Sequence, residues 1–282
     1  MFRATPTPGA CMFEPPVDPA GAADGASSPR RPDTDDAPQI IAHRGYSARA
    51  PENTIAALEA AIEAGARALE FDLHTAACGT PVLFHDPHLG RTTNGVGPLR
   101  RRTLQQLQAL DAGSWFSEAF AGERIPSLGE ALDAVAGRVD ALYPEVKGYR
   151  ELEDLDRMAR IVEDAGLTAH TTFIAMDYAV LDRIRGRLPN GEIGYIVEKP
   201  ERFDEALERA VAAGRAILDL DARIALARPE TVRRARDAGL DVAVWTVDDP
   251  GDATRLWDLG VTRFTTNEVE RLLAWAGELR PS

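Results

Sequence analysis

Cysteine is nearly absent from this chain: only Cys11 and Cys78 occur in 282 residues. One lies in a composition-biased tail and the other in a turn, so disulfides do not staple the fold. Long apolar runs are missing as well. None approaches the roughly 20 residues that cross a bilayer. The N-terminal MFRATPTPGACMFEPP also lacks the apolar core of a signal peptide. The default expectation is therefore a cytoplasmic protein without stable membrane insertion. A basic surplus is the third absence. Lys and Arg number 32 against 45 Asp and Glu, a formal net charge of −13, which argues against a nucleic-acid partner. The short run Arg100–Arg102 reads as a solvated loop. An acidic protein that takes an anionic substrate needs local positive charge or a metal.

What is present is a chain 44% hydrophobic, enough for a large core in one barrel-sized domain. Residues 1–38 are rich in Pro, Ala, Gly, Asp and Ser without period and read as a disordered tail, with Met12 an alternative start. From residue 39 the pattern repeats. Strands are predicted at 39–44, 67–74, 141–147, 171–176, 192–198, 216–221, 241–247 and 263–266. Helices are predicted at 53–64, 127–136, 150–165, 178–187, 201–213, 229–238, 250–259 and 269–279. Several helices end in a glycine, as at 65, 166, 214, 239 and 260, which suits the left-handed position after a helix. Asn53 or Thr54 can cap one helix start, and Asp248 or Asp249 another ahead of Pro250. Eight even βα units over 39–282 predict an α/β TIM (β/α)8 barrel, with a doubly wound open sheet as the alternative.

One apolar run breaks the repeat. PVLFHD at 81–86 follows the second strand too closely for a parallel crossover. It is predicted to return antiparallel through a turn containing Gly79, bringing His85 down to about the level of Glu70. Residues 87–125 then form a long inserted segment of the kind that often carries function.

Residues two apart share a face of a strand. Glu70 and Asp72 form one such pair, and Glu145 and Lys147 another, each at the C-terminal end of its strand. His43 and Arg44 end the first strand and Trp245 lies near the end of the seventh, so all converge on the rim where barrel enzymes place their sites. Three carboxylates meeting there call for a hard divalent cation, Mg²⁺ or Ca²⁺; the alternative is ion pairing with Arg44 and Lys147. His43 and His85 flank the cluster and suit acid–base work near neutral pH. His88 and His170 read as loop or surface residues, and His74 is ambiguous. Asp219 and Asp221 form a further acidic pair on the sixth strand, expected to make hydrogen bonds within the barrel or at its rim. Trp245 is either core or an apolar wall for a small alcohol.

These residues resemble the glycerophosphodiester phosphodiesterase family. The match runs in order through AHRG at 42–45, PENT at 51–54, ExD at 70–72, HD at 85–86, ExK at 145–147, WTV at 245–247 and TTN at 265–267. The resemblance implies a TIM barrel with an insertion after the hairpin. It implies a divalent metal held by Glu70, Asp72 and Glu145, an acid–base pair of His43 and His85, and a phosphate held by Arg44 and Lys147. Glu52 of PENT would support the site or ligate; its alternative is a charge favoured at a helix N-terminus. The implied reaction is metal-dependent hydrolysis of a glycerophosphodiester to an alcohol and glycerol 3-phosphate. Two departures stand out: Cys78-Gly79 where the family usually has Asp-Gly, and Thr266-Asn267 where it usually has Thr-Asp. Both are expected to affect structure, the second also substrate preference.

Two rivals share the barrel. A phospholipase D-like or phosphoinositide enzyme would want membrane contact, and no basic amphipathic or strongly apolar surface segment supports it. A non-catalytic phosphate- or metal-binding barrel would have no need of both histidines.

Overall fold

The computed structural model describes residues 37–279. Residues 1–36, which hold Cys11 and nearly all of the predicted tail, and residues 280–282 lie outside the described residues. Nine strands follow in chain order: β1 (Gln39–Ala42), β2 (Ala68–Thr75), β3 (Pro81–Leu83), β4 (Ala141–Val146), β5 (Thr172–Ala175), β6 (Glu192–Val197), β7 (Ala216–Asp221), β8 (Asp241–Trp245) and β9 (Arg263–Thr266). Eight of them, all but β3, pair in parallel, and the β1–β2 pairing closes the barrel. β3 pairs antiparallel with β2 in the register Leu73↔Leu83, and the Phe84 amide continues it by donating to the Asp72 carbonyl. The hairpin turn is made at Gly79, whose φ is +82°.

The strand faces explain the odd composition of β2. Leu69, Phe71 and Leu73 point outward into the layer between strands and helices. Their alternates point into the barrel, where Ile41, Ala68, Tyr143, Ile174, Ile196, Ile217 and Ala243 form an inner apolar layer. Period-two alternation thus sends Glu70 and Asp72 above that layer. The five helix-ending glycines named above all have positive φ, from 71° to 98°. Thr54 caps the first helix, Ile55–Glu63, and Asp249 caps Pro250–Asp258. The inserted segment has a small core of its own, with Leu89, Leu99, Leu107 and Ile125 packed on Val82 and Phe84 of the hairpin.

Differences from the predicted elements are local. β1 ends at Ala42 rather than residue 44, because Arg44 adopts a left-handed φ of 56° that no strand accommodates. Two helices were not predicted: Leu104–Gln108 in the insertion, and Ala222–Ala227, which follows β7 directly and is capped by Asp221. Free and exposed, Cys78 sits with its sulfur near Thr80, away from the rim.

Candidate active site

The turn after β1 builds the centre of the rim. Because Arg44 is left-handed, its amide points inward and donates to Glu70 Oε2 at 2.8 Å. Asn53, also left-handed with φ 58°, clasps Asp72 twice: Nδ2 donates to Oδ2 at 2.7 Å, and the Asp72 amide donates to Oδ1 at 2.9 Å. Asn53 is therefore spent on the carboxylate, which leaves the helix cap to Thr54.

Glu70, Asp72 and Glu145 are all buried and each offers a carboxylate oxygen within 4.8 Å of the others. Cations do reach them. Arg44 Nε lies 3.2 Å from Asp72 Oδ2, and Lys147 Nζ lies 2.7 Å from Glu145 Oε1 and 3.6 Å from Asp72 Oδ1. These pairs do not exhaust the acids. Among the described residues, Glu70 Oε1 is buried with no hydrogen-bond partner, and so is Oδ1 of Asp219 on β7. An oxygen in that state costs free energy unless something binds it. A divalent cation with oxygen ligands fits the trio on this count.

The protonation pattern carries the same signature. Burial, then Asp72 and Glu145, pushes the Glu70 carboxyl well above the ordinary range. Glu145 is raised by burial and by Asp72. Burial also opposes ionisation of Asp72, but Arg44 and Lys147 outweigh it and hold this carboxyl below its usual range. Asp219, pushed up by burial and by Glu145, reaches about 8. The expectation that Asp219 hydrogen-bonds within the barrel is corrected: its carboxyl makes no hydrogen bond among the described residues. Asp221 does, capping its helix through the Arg223 amide.

His43 and His85 line one cavity of about 180 Å³ together with Arg44, Glu70, Glu145, Lys147, Asp219 and Trp245. His43 Nδ1 lies 2.7 Å from Asn267 Oδ1. The orientation of that amide is fixed behind it, since Asn267 Nδ2 donates to Asp248 Oδ2 at 2.9 Å. Oδ1 must then accept, so neutral His43 carries its proton on Nδ1 and leaves an Nε2 lone pair. Nε2 stands 3.9 Å from Glu70 Oε2. Burial, then Arg44, lowers the His43 pKa to about 4. His85 is held differently. Its Nδ1 lies 2.6 Å from Asp86 Oδ1, a carboxylate held down at about 2, chiefly by Arg91.

Arg91 comes from the inserted segment and ties both halves of the rim together. It donates to Asp86 Oδ2 at 2.7 Å and to Glu52 Oε2 at 2.8 Å, while Arg44 Nη1 donates to Glu52 Oε1 at 2.9 Å. Glu52 therefore bridges two arginines and stands outside the carboxylate trio. Trp245 is half-buried: it packs on the inner barrel layer and lines the cavity, so the two alternatives for it coexist. Beside the cavity, His74 Nε2 donates to the His85 carbonyl oxygen, 3.0 Å away. His88 and His170 lie off this cavity.

Sequence reasoning missed Asp86, Arg91, Asn267 and Asp248 as parts of the rim, and it placed Asp219 in the barrel or at its rim without assigning it to the cavity. Asn267, one of the two departures from the family pattern, meets His43 Nδ1 directly.

Among the described residues no helix is long and apolar enough to cross a membrane. Residues 43–271 match the model of the glycerophosphoryl diester phosphodiesterase family. The chain is 30% identical over 240 residues to a glycerophosphodiester phosphodiesterase of Caldanaerobacter subterraneus subsp. tengcongensis, covering 83% of this chain and 96% of that protein. It is 32% identical over 250 residues to one of Bacillus subtilis, covering 80% and 82%. The fold is similar to an Oleispira antarctica phosphodiesterase solved with its product sn-glycerol-3-phosphate, at TM-score 0.76 and 29% identity, covering 86% of this chain and 97% of that one. A closed parallel barrel with a hairpin after its second strand, an acidic trio at the rim and a family match through nearly all of that barrel have one reading: the chain belongs to the glycerophosphoryl diester phosphodiesterase family.

Proposed function

We propose that the protein hydrolyses glycerophosphodiesters to an alcohol and glycerol 3-phosphate, with His43 as base and His85 as acid. The observation that carries this is the unlike anchoring of two histidines on one small cavity. The Asn267 carbonyl oxygen fixes His43 as the tautomer with a free Nε2 lone pair, ready to take the proton of the attacking oxygen. His85 instead presents Nδ1 to the Asp86 carboxylate, which balances the positive charge of a ring holding both protons. That ring can hand its Nε2 proton to the leaving alcohol oxygen.

Arg44 and Lys147 line the same cavity and would hold the phosphoryl oxygens. Glu70, Asp72 and Glu145 would hold a divalent metal, Mg²⁺ or Ca²⁺. When bound, it supplies neutralisation of the charge on the transferring phosphoryl group. The Asn53 clasp keeps Asp72 in place, and Glu52 and Arg91 keep Arg44 and Asp86 in place. Trp245 would give the substrate an apolar wall.

The test is release of glycerol 3-phosphate from glycerophosphocholine by purified protein and by the His43→Ala and His85→Ala variants, each checked for native circular dichroism. Each variant should lose about 100-fold or more in turnover. A near-wild-type rate in either removes that histidine from its role. No release by the folded wild-type protein would move the reading to another diester.

A further inference from the structure

A second cavity, of about 370 Å³, adjoins the first. Lys147 stands in the wall of both. Their linings differ in sign. The first contains Glu70, Glu145 and Asp219, whereas the second has no carboxylate among the described residues. Its wall is instead made with His74, His88, Arg100, Arg101, Lys147 and Tyr149. In a chain of net charge −13 this cluster of basic side chains opposes the overall sign. Neither Arg100 nor Arg101 forms an ion pair among the described residues, whereas neighbouring Arg91 pairs with Glu52 and Asp86.

The arginines are held on a built support rather than a loose loop. The two legs of the insertion pair through a bridge between His88 and Pro98, with the Leu89 amide bonded to the Gly97 carbonyl and the Leu99 amide to that of Pro87. Leu89 and Leu99 are buried beneath, in the core of the insertion. Opposite them, Gly148 carries the chain across the His74 ring, where a Cβ would fall 2.6 Å from Nδ1. His74 in turn bonds the His85 carbonyl at 3.0 Å, so the second cavity opens on the His85 side of the site.

We infer that this cavity is a subsite for the leaving alcohol and selects alcohols that carry a second anionic group, a phosphate ester above all. The inference rests on the proposed hydrolysis, in which His85 protonates the leaving oxygen. An alcohol departing past His85 enters the space framed by His74, His88 and Lys147. Arg100 and Arg101 then meet a negative group on its far side, and Tyr149 offers its ring to the carbon skeleton. Arg100–Arg102, read from sequence as a solvated loop, thereby gains a use for two of its three arginines. The net acidity of the protein would make an uncharged or cationic head group the easier guest elsewhere on the surface. Here the local field favours an anion.

The experiment compares kcat/KM for glycerophosphoinositol 4-phosphate, glycerophosphoinositol and glycerophosphocholine, using the wild-type chain, Arg100→Ala/Arg101→Ala and Arg100→Glu/Arg101→Glu. Wild type should prefer the phosphorylated head group over inositol. The alanine pair should lower that preference by about tenfold, and the glutamate pair should invert it. Turnover of glycerophosphocholine by the alanine pair should not fall, since its cationic head group gains nothing from either arginine. A wild-type protein that turns over glycerophosphocholine but shows no preference, or a preference that survives both pairs, overturns the subsite alone. If none of the three diesters is cleaved, the hydrolase reading fails and the subsite falls with it.

Discussion

Both ends of this barrel gather charge, and they do so in opposite ways. At the N-terminal end Arg263 is the hub. It donates to Glu192 at 2.6 Å, to Asp241 at 2.9 Å and to the Tyr143 hydroxyl at 3.0 Å. That hydroxyl donates to Gln39, and Thr172 donates to Glu192. Glu192 is held below the ordinary carboxylate range, since Arg263 and Thr172 outweigh its burial. At the C-terminal end, Glu70, Asp72, Glu145 and Asp219 face two cations, Arg44 and Lys147, and buried oxygens of Glu70 and Asp219 have no hydrogen-bond partner among the described residues. A closed network stabilises one arrangement; a network left short of positive charge waits for a ligand. The same fold, strand by strand, supplies both.

Substitutions sharpen the contrast. The largest effect on stability should come at the closed end. Arg263→Met leaves the part-buried Glu192 and Asp241 without their cation, which costs about 1–3 kcal/mol. Thermal unfolding should then begin about 2–12 °C lower for a domain of this size. Turnover per folded molecule should hold. A loss of activity without loss of stability would put the closed end into the chemistry.

At the open end the balance reverses. Glu70→Gln should cut turnover by at least about 100-fold and weaken calorimetric Mg²⁺ and Ca²⁺ binding. The metal-free variant should melt no lower than wild type, because a buried carboxyl raised by Asp72 and Glu145 is replaced by a neutral group. A clear drop in its melting temperature would mean that this rim is a structural network after all.

Asn267→Ala removes the acceptor that sets the His43 tautomer and should slow turnover by about 10–100-fold, with binding of glycerol 3-phosphate retained. Unchanged kinetics would free His43 from this anchor.

The smallest effect concerns Asp219 in metal-free protein. Its folded pKa of about 8 exceeds the ordinary value of 3.8, so the folded state binds the proton more tightly than the unfolded state. Stability from this group is complete below the lower value and falls as pH rises through that window. Asp219→Asn keeps the neutral form, so its advantage over wild type should grow from pH 5 to pH 8. Each kcal/mol gained raises the melting temperature by about 2–4 °C. Equal melting curves at both pH values would contradict the unmet burial of Asp219.

The barrel and most of its rim were legible in the chain because alternation across a strand is strict. Once β2 and β4 are strands, Glu70, Asp72 and Glu145 must share the interior, and the short spacing to PVLFHD forces the antiparallel return. What stayed hidden depends on loops that meet only in three dimensions. Arg91 reaches Glu52 across 39 positions and His43 reaches Asn267 across 224, and no period encodes such pairings. The contacts of the Arg44 amide and the Asn53 side chain escaped for another reason. Their left-handed backbones turn an amide and a side chain toward the acids, and propensity alone assigns Asn53 to a cap. Asp219 was visible as half of an acidic pair, but nothing local tells which half caps a helix and which faces the cavity.

One measurement tests most directly the claim that the open end is a metal-dependent hydrolytic site. Glycerol 3-phosphate release from glycerophosphocholine is followed after chelation, and again after Mg²⁺, Ca²⁺ or Mn²⁺ is restored. The account predicts no release from chelated protein and recovery with at least one of the three ions. Full activity in the presence of chelator would contradict it.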